Sequence, residues 1–281
     1  MSDKKTEQPM TPEELHDATL SLLKKLIEVC DAAGVQYMLA YGTLLGAVRH
    51  QGFIPWDDDC DIMMLRPEYE RFAAYCKQHA RELLPYKFIT RQQMPPTYLM
   101  TIGRFIDTRY RMETNFRHDT GIDLFLDIHP IDGAGRTREE AMEVLGERRR
   151  TILEKLHRVT LPQFPEKKGL ARAGSFLAWG FWTVVFMAGY GKKLLDQLDA
   201  LGREFPLEES DYVGSLIWVS DYHSYKKSSL EQVKQMPFEG MSVNVPVDPD
   251  DFLTAQYGDY MKLPPVEQRL AKHNYRLYRR N

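Results

Sequence analysis

The chain has 281 residues, 43% of them hydrophobic and 27% charged, with a formal net charge of −3. That is enough for one large domain or two small ones, with the apolar content of a packed core, and it excludes a chain disordered throughout. A net charge so near zero gives no footing for nucleic-acid binding.

The first ten residues are polar, with no secretory pattern, and read as a lead-in that ends at residue 11. Residues 12–33 read as a helix. Thr11 suits its N-cap, Pro12 its first turn and Gly34 its stop. Leu15, Ala18, Leu22, Leu26 and Cys30 recur on one face. Val35–Ala40 reads as a short strand, which Gly42 breaks, and residues 43–50 turn helical. A strand, a Gly turn and a helix start aim backbone N–H groups at an anion, so Gly42 and Thr43 read as a phosphate cradle.

The next stretch, GFIPWDDDCDIMM, places Asp57, Asp58, Asp59 and Asp61 within five positions. Residues 59–64 read as a strand with its acids first. Asp57, Asp59 and Asp61 then share one side of it. Three like charges on one side repel unless a cation lies among them, and oxygen ligands favour Mg²⁺, with Mn²⁺ the alternative.

Pro67 opens a helix with Tyr69, Phe72, Ala73, Cys76 and Ala80 on one face. Residues 86–90 and 98–107 read as strands around a Pro95–Pro96 turn. Residues 122–128 read as a further strand, closed by an Asp132–Gly133 turn. Acids within an apolar strand are costly unless paired or metal-bound, so one of Asp123 and Asp127 is expected to join the first cluster. Asp59, Asp61 and Asp127 are the expected metal ligands, and Asp57 a further candidate. Such a site activates an attacking hydroxyl and neutralises a leaving phosphate.

Residues 137–159 read as one long helix whose Arg148–Arg149–Arg150 run forms a solvated face. Residues 173–191 carry no charge and are flanked by basic residues. Three readings stand for them: a buried helix, an interfacial helix and a span, which needs about 20 residues. Further on, residues 243–247 read as a short strand and 251–257 as a helix. The last 21 residues carry six Lys or Arg and one Glu. Cys30, Cys60 and Cys76 lack metal-ligand spacing and read as reduced core thiols of a cytosolic protein.

GTLLGAVRHQGFIPWDDDCDI resembles the LicD family of phosphocholine transferases and, with it, the fukutin-type sugar-phosphate transferases. DIHPIDG at 127–133 resembles that family's acid–hydrophobic–aromatic–Pro stretch, with His129 where an aromatic is common. YGDYMKLPP at 257–265 resembles its C-terminal signature. The resemblance implies an α+β nucleotidyltransferase fold like the polymerase beta core: a small mixed sheet flanked by helices, one domain over 12–281 with a helical insertion at about 137–210. It also implies Mg²⁺-dependent transfer of phosphocholine from CDP-choline to a hydroxyl of a cell-surface glycan or lipid-linked sugar, releasing CMP. By position, Gly42 and Thr43 approach the donor phosphates, while Asp59, Asp61 and Asp127 hold metal. Arg49, His50, Arg104 and Lys262 are candidates for phosphate contact. Trp56, Trp218, Tyr222 and Tyr225 are candidates for a choline cage, since ring faces hold a quaternary ammonium.

A span at 173–191 would separate motifs that the resemblance places in one domain. Attachment at the inner membrane face is therefore expected, without a span. Two alternatives remain: a transferase of the same fold using another CDP-linked donor, such as a polyol phosphate, and a non-catalytic glycan- or membrane-binding module.

Overall fold

A computed structural model describes residues 8–90, 93, 101–113, 123–160, 177, 180–185, 188–218, 223–270 and 276–280. The chain forms two compact units. The first comprises Met1–Thr90, Ile102–Pro130 and Ser228–Asn281, and the second Arg91–Thr101 and Ile131–Lys227.

The first unit begins with α1 (Pro12–Ala33). Thr11 and Glu14 form a reciprocal capping box, and Gly34 ends the helix at φ 62°. Its buried face includes Ala18, Leu22, Leu26 and Cys30, as the helical period requires. Then come β1 (Met38–Leu39), α2 (Tyr41–His50), β2 (Asp61–Leu65), α3 (Arg66–Gln78), β3 (Tyr86–Ile89), β4 (Gly103–Asp107), β5 (Tyr110–Glu113) and β6 (Leu124–Gly133). The strand order is β1-β2-β6-β4-β3. β1 pairs antiparallel with β2, β4 with both β3 and β6. The architecture is mixed α/β, a mixed sheet flanked by helices. α1 packs on α3 and β4, and α3 on β2 and β3. Phe72 of α3 is fully buried, its ring 5.0 Å from that of Phe88 and 6.0 Å from that of Phe105.

Two small antiparallel pairs complete this unit. One joins β5 to β11 (Arg276–Arg279). The other is the hairpin of β9 (Val233–Phe238) and β10 (Met241–Pro246). Glu239 and Gly240 turn it at φ 48° and 73°, the paired positive values of a tight hairpin turn. Glu239 then holds the turn after α2. Its N–H donates to the Gln51 carbonyl, and its Oε1 accepts from the Phe53 N–H, both at 2.9 Å.

In the second unit, the end of β6 pairs with β7 (Tyr212–Gly214), which pairs with β8 (Tyr225–Lys226). α4 (Arg138–Glu143) starts at a Thr137–Glu140 capping box. A π-turn over Val144–Arg148 leads it into α5 (Arg149–Thr160), which packs on α6 (Tyr190–Gly202). Val144, Leu145, Leu201 and Leu216 form a core there.

Several sequence readings need correction. β2 starts at Asp61, so Asp57 and Asp59 lie in the loop before it. Their proximity comes from that loop's path, not from strand alternation. Asp132 and Gly133 continue β6, pairing with Gly214 and Val213 instead of turning. A β-carbon at Gly133 would overlap the Phe205 carbonyl oxygen, so the glycine serves close packing. The Arg148–Arg150 run is not all solvated. Arg148 forks onto Glu204 at 2.8 and 2.5 Å, but Arg149 is fully buried. It shares a helical face with Leu145 and Leu153.

Of the uncharged stretch at 173–191, residues 177, 180–185 and 188–191 are described, and Leu177, Phe181 and Val184 are exposed. Among the described residues, no helix is long and apolar enough to cross a membrane. Cys30, Cys60 and Cys76 are free and buried.

Candidate active site

The N-cap of α2 is Ala40, whose side chain offers no hydrogen bond, so the first-turn N–H groups are not satisfied by a cap side chain. Tyr41 sits at φ 44°, a value unusual for an aromatic residue. Its ring lies 4.9 Å from that of His129 and 5.3 Å from that of Phe252. Gly42 follows, and a β-carbon there would overlap Asp57 Oδ2. The missing side chain lets a carboxylate lie against the helix start, where the positive dipole end favours it. His16 of α1 holds the Asp57 carbonyl at 3.0 Å.

Thr43 is buried, and its Oγ1 accepts from the Asp61 N–H at 2.9 Å. That bond ties the start of β2 to the first turn of α2. Asp127 enters from β6, its N–H bonded to the Cys60 carbonyl at 3.1 Å. The Cys60 thiol is buried and pushed well up, by burial first and then by the Asp61 charge.

The acids thus gather at one end of α2. Burial pushes Asp59 from the ordinary 3.8 up to about 9, reinforced in turn by the charges of Asp61, Asp57, Asp127 and Asp58. Asp61 and Asp127 are each held by a basic side chain. Asp61 Oδ1 is 2.9 Å from His129 Nε2. Asp127 Oδ1 accepts from Arg104 Nε at 2.6 Å, and the Arg104 guanidinium carbon lies 3.6 Å from the Phe125 ring centre. Arg104 and Asp127 face each other across β4 and β6. Asp123, just before β6, is tied elsewhere, to Arg280 at 2.6 Å, so of the two candidates it is Asp127 that adjoins the cluster.

An all-oxygen donor set in which burial, and then the neighbouring charges, push one carboxyl well up fits a hard divalent cation such as Mg²⁺. Asp59, Asp61 and Asp127 would hold it, with Asp57 beside them. Among the described residues, no three such side chains converge on a single metal-sized position; Arg104 holds Asp127 and His129 holds Asp61.

The remaining sequence candidates divide. Arg49, His50 and Trp56 lie at the far end of α2. Lys262 is exposed, its N–H closing a turn onto the Asp259 carbonyl. Trp218 and Tyr225 belong to the second unit, where Tyr225 is a buried core residue of β8. That burial argues against a cage role for Tyr225. Tyr222 lies outside the described residues. Sequence reasoning missed His16 and the ring contacts of Tyr41. His16 carried no local signal, because its bond to Asp57 depends on how α1 packs.

Residues 34–155 match the family described as LicD/FKTN/FKRP, nucleotidyltransferase domain. The chain is 29% identical over 264 residues to the lipopolysaccharide cholinephosphotransferase LicD of Haemophilus influenzae, covering 92% of this chain and 94% of that protein. Over residues 34–155 the chain carries a LicD-type segment. It is an enzyme of a transferase family. Shorter similarities reach an uncharacterized protein of Rickettsia prowazekii, 39% identical over 64 residues (23% of this chain, 21% of that protein). The human ribitol 5-phosphate transferase FKRP is 43% identical over 56 residues, 20% of this chain and 11% of that protein. Asp57, Asp58, Asp59, Asp61 and Asp127, with Arg104 and His129, lie inside the LicD segment.

Proposed function

We propose that the chain transfers phosphocholine from CDP-choline to a hydroxyl of a cell-surface glycan or a lipid-linked sugar precursor, releasing CMP. The observation that carries this reading is the set of carboxylates around Asp59, packed against the start of α2 within the LicD segment. The long similarity to the Haemophilus influenzae cholinephosphotransferase supports the choice of phosphocholine and of a lipopolysaccharide-type acceptor.

In this reading the scaffold is of nucleotidyltransferase type. The acceptor oxygen attacks the phosphocholine phosphorus, and the bond to the CMP oxygen breaks. A Mg²⁺ ion on Asp59, Asp61 and Asp127 would supply charge neutralisation at the diphosphate. The protein's own groups prepare that place. Gly42 lets Asp57 reach the helix start, Thr43 fixes Asp61, His129 orients the Asp61 carboxylate, and Arg104 orients that of Asp127. The N–H groups of the first turn of α2 face donor phosphate oxygens. Attachment to the membrane is peripheral, at its inner face.

The test is direct. Purified protein with Mg²⁺, CDP-choline and a glycan acceptor should release CMP, and Asp59→Ala should release little. Equal release by the variant defeats the mechanism.

A second reading keeps the site and changes the donor to another CDP-linked alcohol. The FKRP similarity favours it. A thermal-shift panel of CDP-linked compounds separates the two, because a ligand that binds the native state raises Tm. A larger shift with CDP-ribitol than with CDP-choline moves the assignment.

A further inference from the structure

α2 carries a second charged group at its other end. Arg49 and His50 form its last turn, with Arg49 Nε 3.5 Å from His50 Nδ1. Arg49 Nη1 donates to the Tyr260 carbonyl at 2.8 Å. Arg269, just beyond the YGDYMKLPP stretch, donates through Nε to the Pro264 carbonyl at 2.9 Å. Its guanidinium carbon lies 5.3 Å from the Trp56 ring centre. The Trp56 ring meets that of His50 nearly at right angles, centres 6.1 Å apart. All four side chains are half-buried.

Both guanidiniums are thus fixed by carbonyl oxygens, and neither has a carboxylate partner among the described residues. Arg49 is held below its ordinary value by burial and then by the Arg269 charge, and His50 by burial and then by the Arg49 charge. The carbonyl end of α2 offsets part of this repulsion. It does not explain why two arginines, distant in sequence, are brought together with free N–H groups. Guanidinium forks match phosphate oxygens in geometry and charge.

We propose that Arg49, His50, Trp56 and Arg269 form a phosphate-binding subsite distinct from the acid cluster. It takes a phosphate group of a substrate without help from Mg²⁺. Gly42 and Arg49 are about 10 Å apart along α2, at a helical rise of about 1.5 Å per residue. One elongated substrate can therefore engage both ends of the helix. The phosphate belongs either to the nucleotide of the donor or to a phosphorylated acceptor glycan; the recognition chemistry is the same. Because the subsite needs neither metal nor turnover, its test is independent of the transfer reaction.

The test titrates the full chain with pyrophosphate in EDTA at constant ionic strength, following tryptophan emission and Tm. The wild type should show a saturable emission change and a rise in Tm. Arg49→Gln and Arg269→Gln should each bind at least tenfold more weakly, with Arg269→Lys intermediate. If Arg269→Gln fails to fold, Arg49→Gln and Arg269→Lys decide. Trp56→Phe should lose the emission change and keep the Tm rise. Displacement of pyrophosphate by CMP assigns the subsite to the donor, and displacement by glucose 1-phosphate assigns it to the acceptor. Equal binding by the glutamine variants, the same response to NaCl alone, or displacement by neither competitor would overturn the proposal.

Discussion

Gly42 and Asp57 are fitted to one another: a β-carbon on the glycine would overlap Asp57 Oδ2 and lie 3.3 Å from its Cγ. Alanine at 42 therefore expels the carboxylate from the helix start. Backbone strain is not the issue, because Gly42 is helical and alanine is the better helix former by about 1 kcal/mol. The expected result for Gly42→Ala is CMP release lowered at least tenfold with Tm nearly unchanged. Unchanged turnover would show that the position of Asp57 does not matter.

Gly46, one turn later, should behave in the opposite way. A β-carbon there would overlap the Gly52 carbonyl oxygen and lie 3.4 Å from the Ile54 N–H nitrogen. These are backbone atoms of the turn that Glu239 holds, so they cannot swing aside as a carboxylate can. Gly46→Ala should cost stability, about 1–3 kcal/mol in denaturant unfolding, as overpacking does. A stability equal to wild type would mean that the turn yields.

Thr43 tests the tie between α2 and β2. Thr43→Val keeps the shape but leaves the Asp61 N–H without its 2.9 Å acceptor. An unsatisfied buried donor costs about 1–3 kcal/mol. Thr43→Ser retains the oxygen and should recover most of that loss in thermal unfolding. Equal stability of the valine and serine variants would assign Thr43 a packing role only.

The α1 caps and the types of acid were readable because they depend on local spacing: Thr11 before Pro12, Gly34 at the end, and the Asp57–Asp61 run. The partners were less readable, because Arg104 meets Asp127 only through the β4–β6 register. β9 escaped detection because Pro237 argues against a strand, yet its partner β10 supplies the pairing. Arg149 looked solvated amid its charged neighbours, and only the helical rotation turns it inward with Leu145. Neighbouring charges in sequence say little about burial when a helix separates their directions.

The Arg104–Asp127 pair should be more important for folding than an exposed pair. Both side chains are about nine-tenths buried, at 9% and 11% exposure, with 2.6 Å between Nε and Oδ1. Removing one member leaves an uncompensated buried charge, at a cost of about 3–5 kcal/mol. Arg104→Met should fall in this range in urea unfolding. Adding Asp127→Asn should restore part of the stability while abolishing CMP release. Additive losses in the double variant would refute the coupling.

Asp59 sets the pH dependence. Its carboxyl titrates at about 9 in the folded chain and at the ordinary 3.8 when unfolded, so the unfolded state loses its proton first. Stability from this group is fully present below 3.8 and is lost progressively as pH rises towards 9. In EDTA, wild-type Tm should therefore decline from pH 5 to pH 8 more steeply than that of Asp59→Asn, which cannot ionise. Mg²⁺ should reverse the decline, because a divalent cation favours the ionised carboxylate, and its binding should release protons at pH 7. Calorimetry in two buffers of different ionisation enthalpy measures that release. Parallel Tm profiles for the two proteins, together with no proton release on Mg²⁺ addition, would show that Asp59 is already ionised in the folded chain and that its neighbours do not repel it strongly.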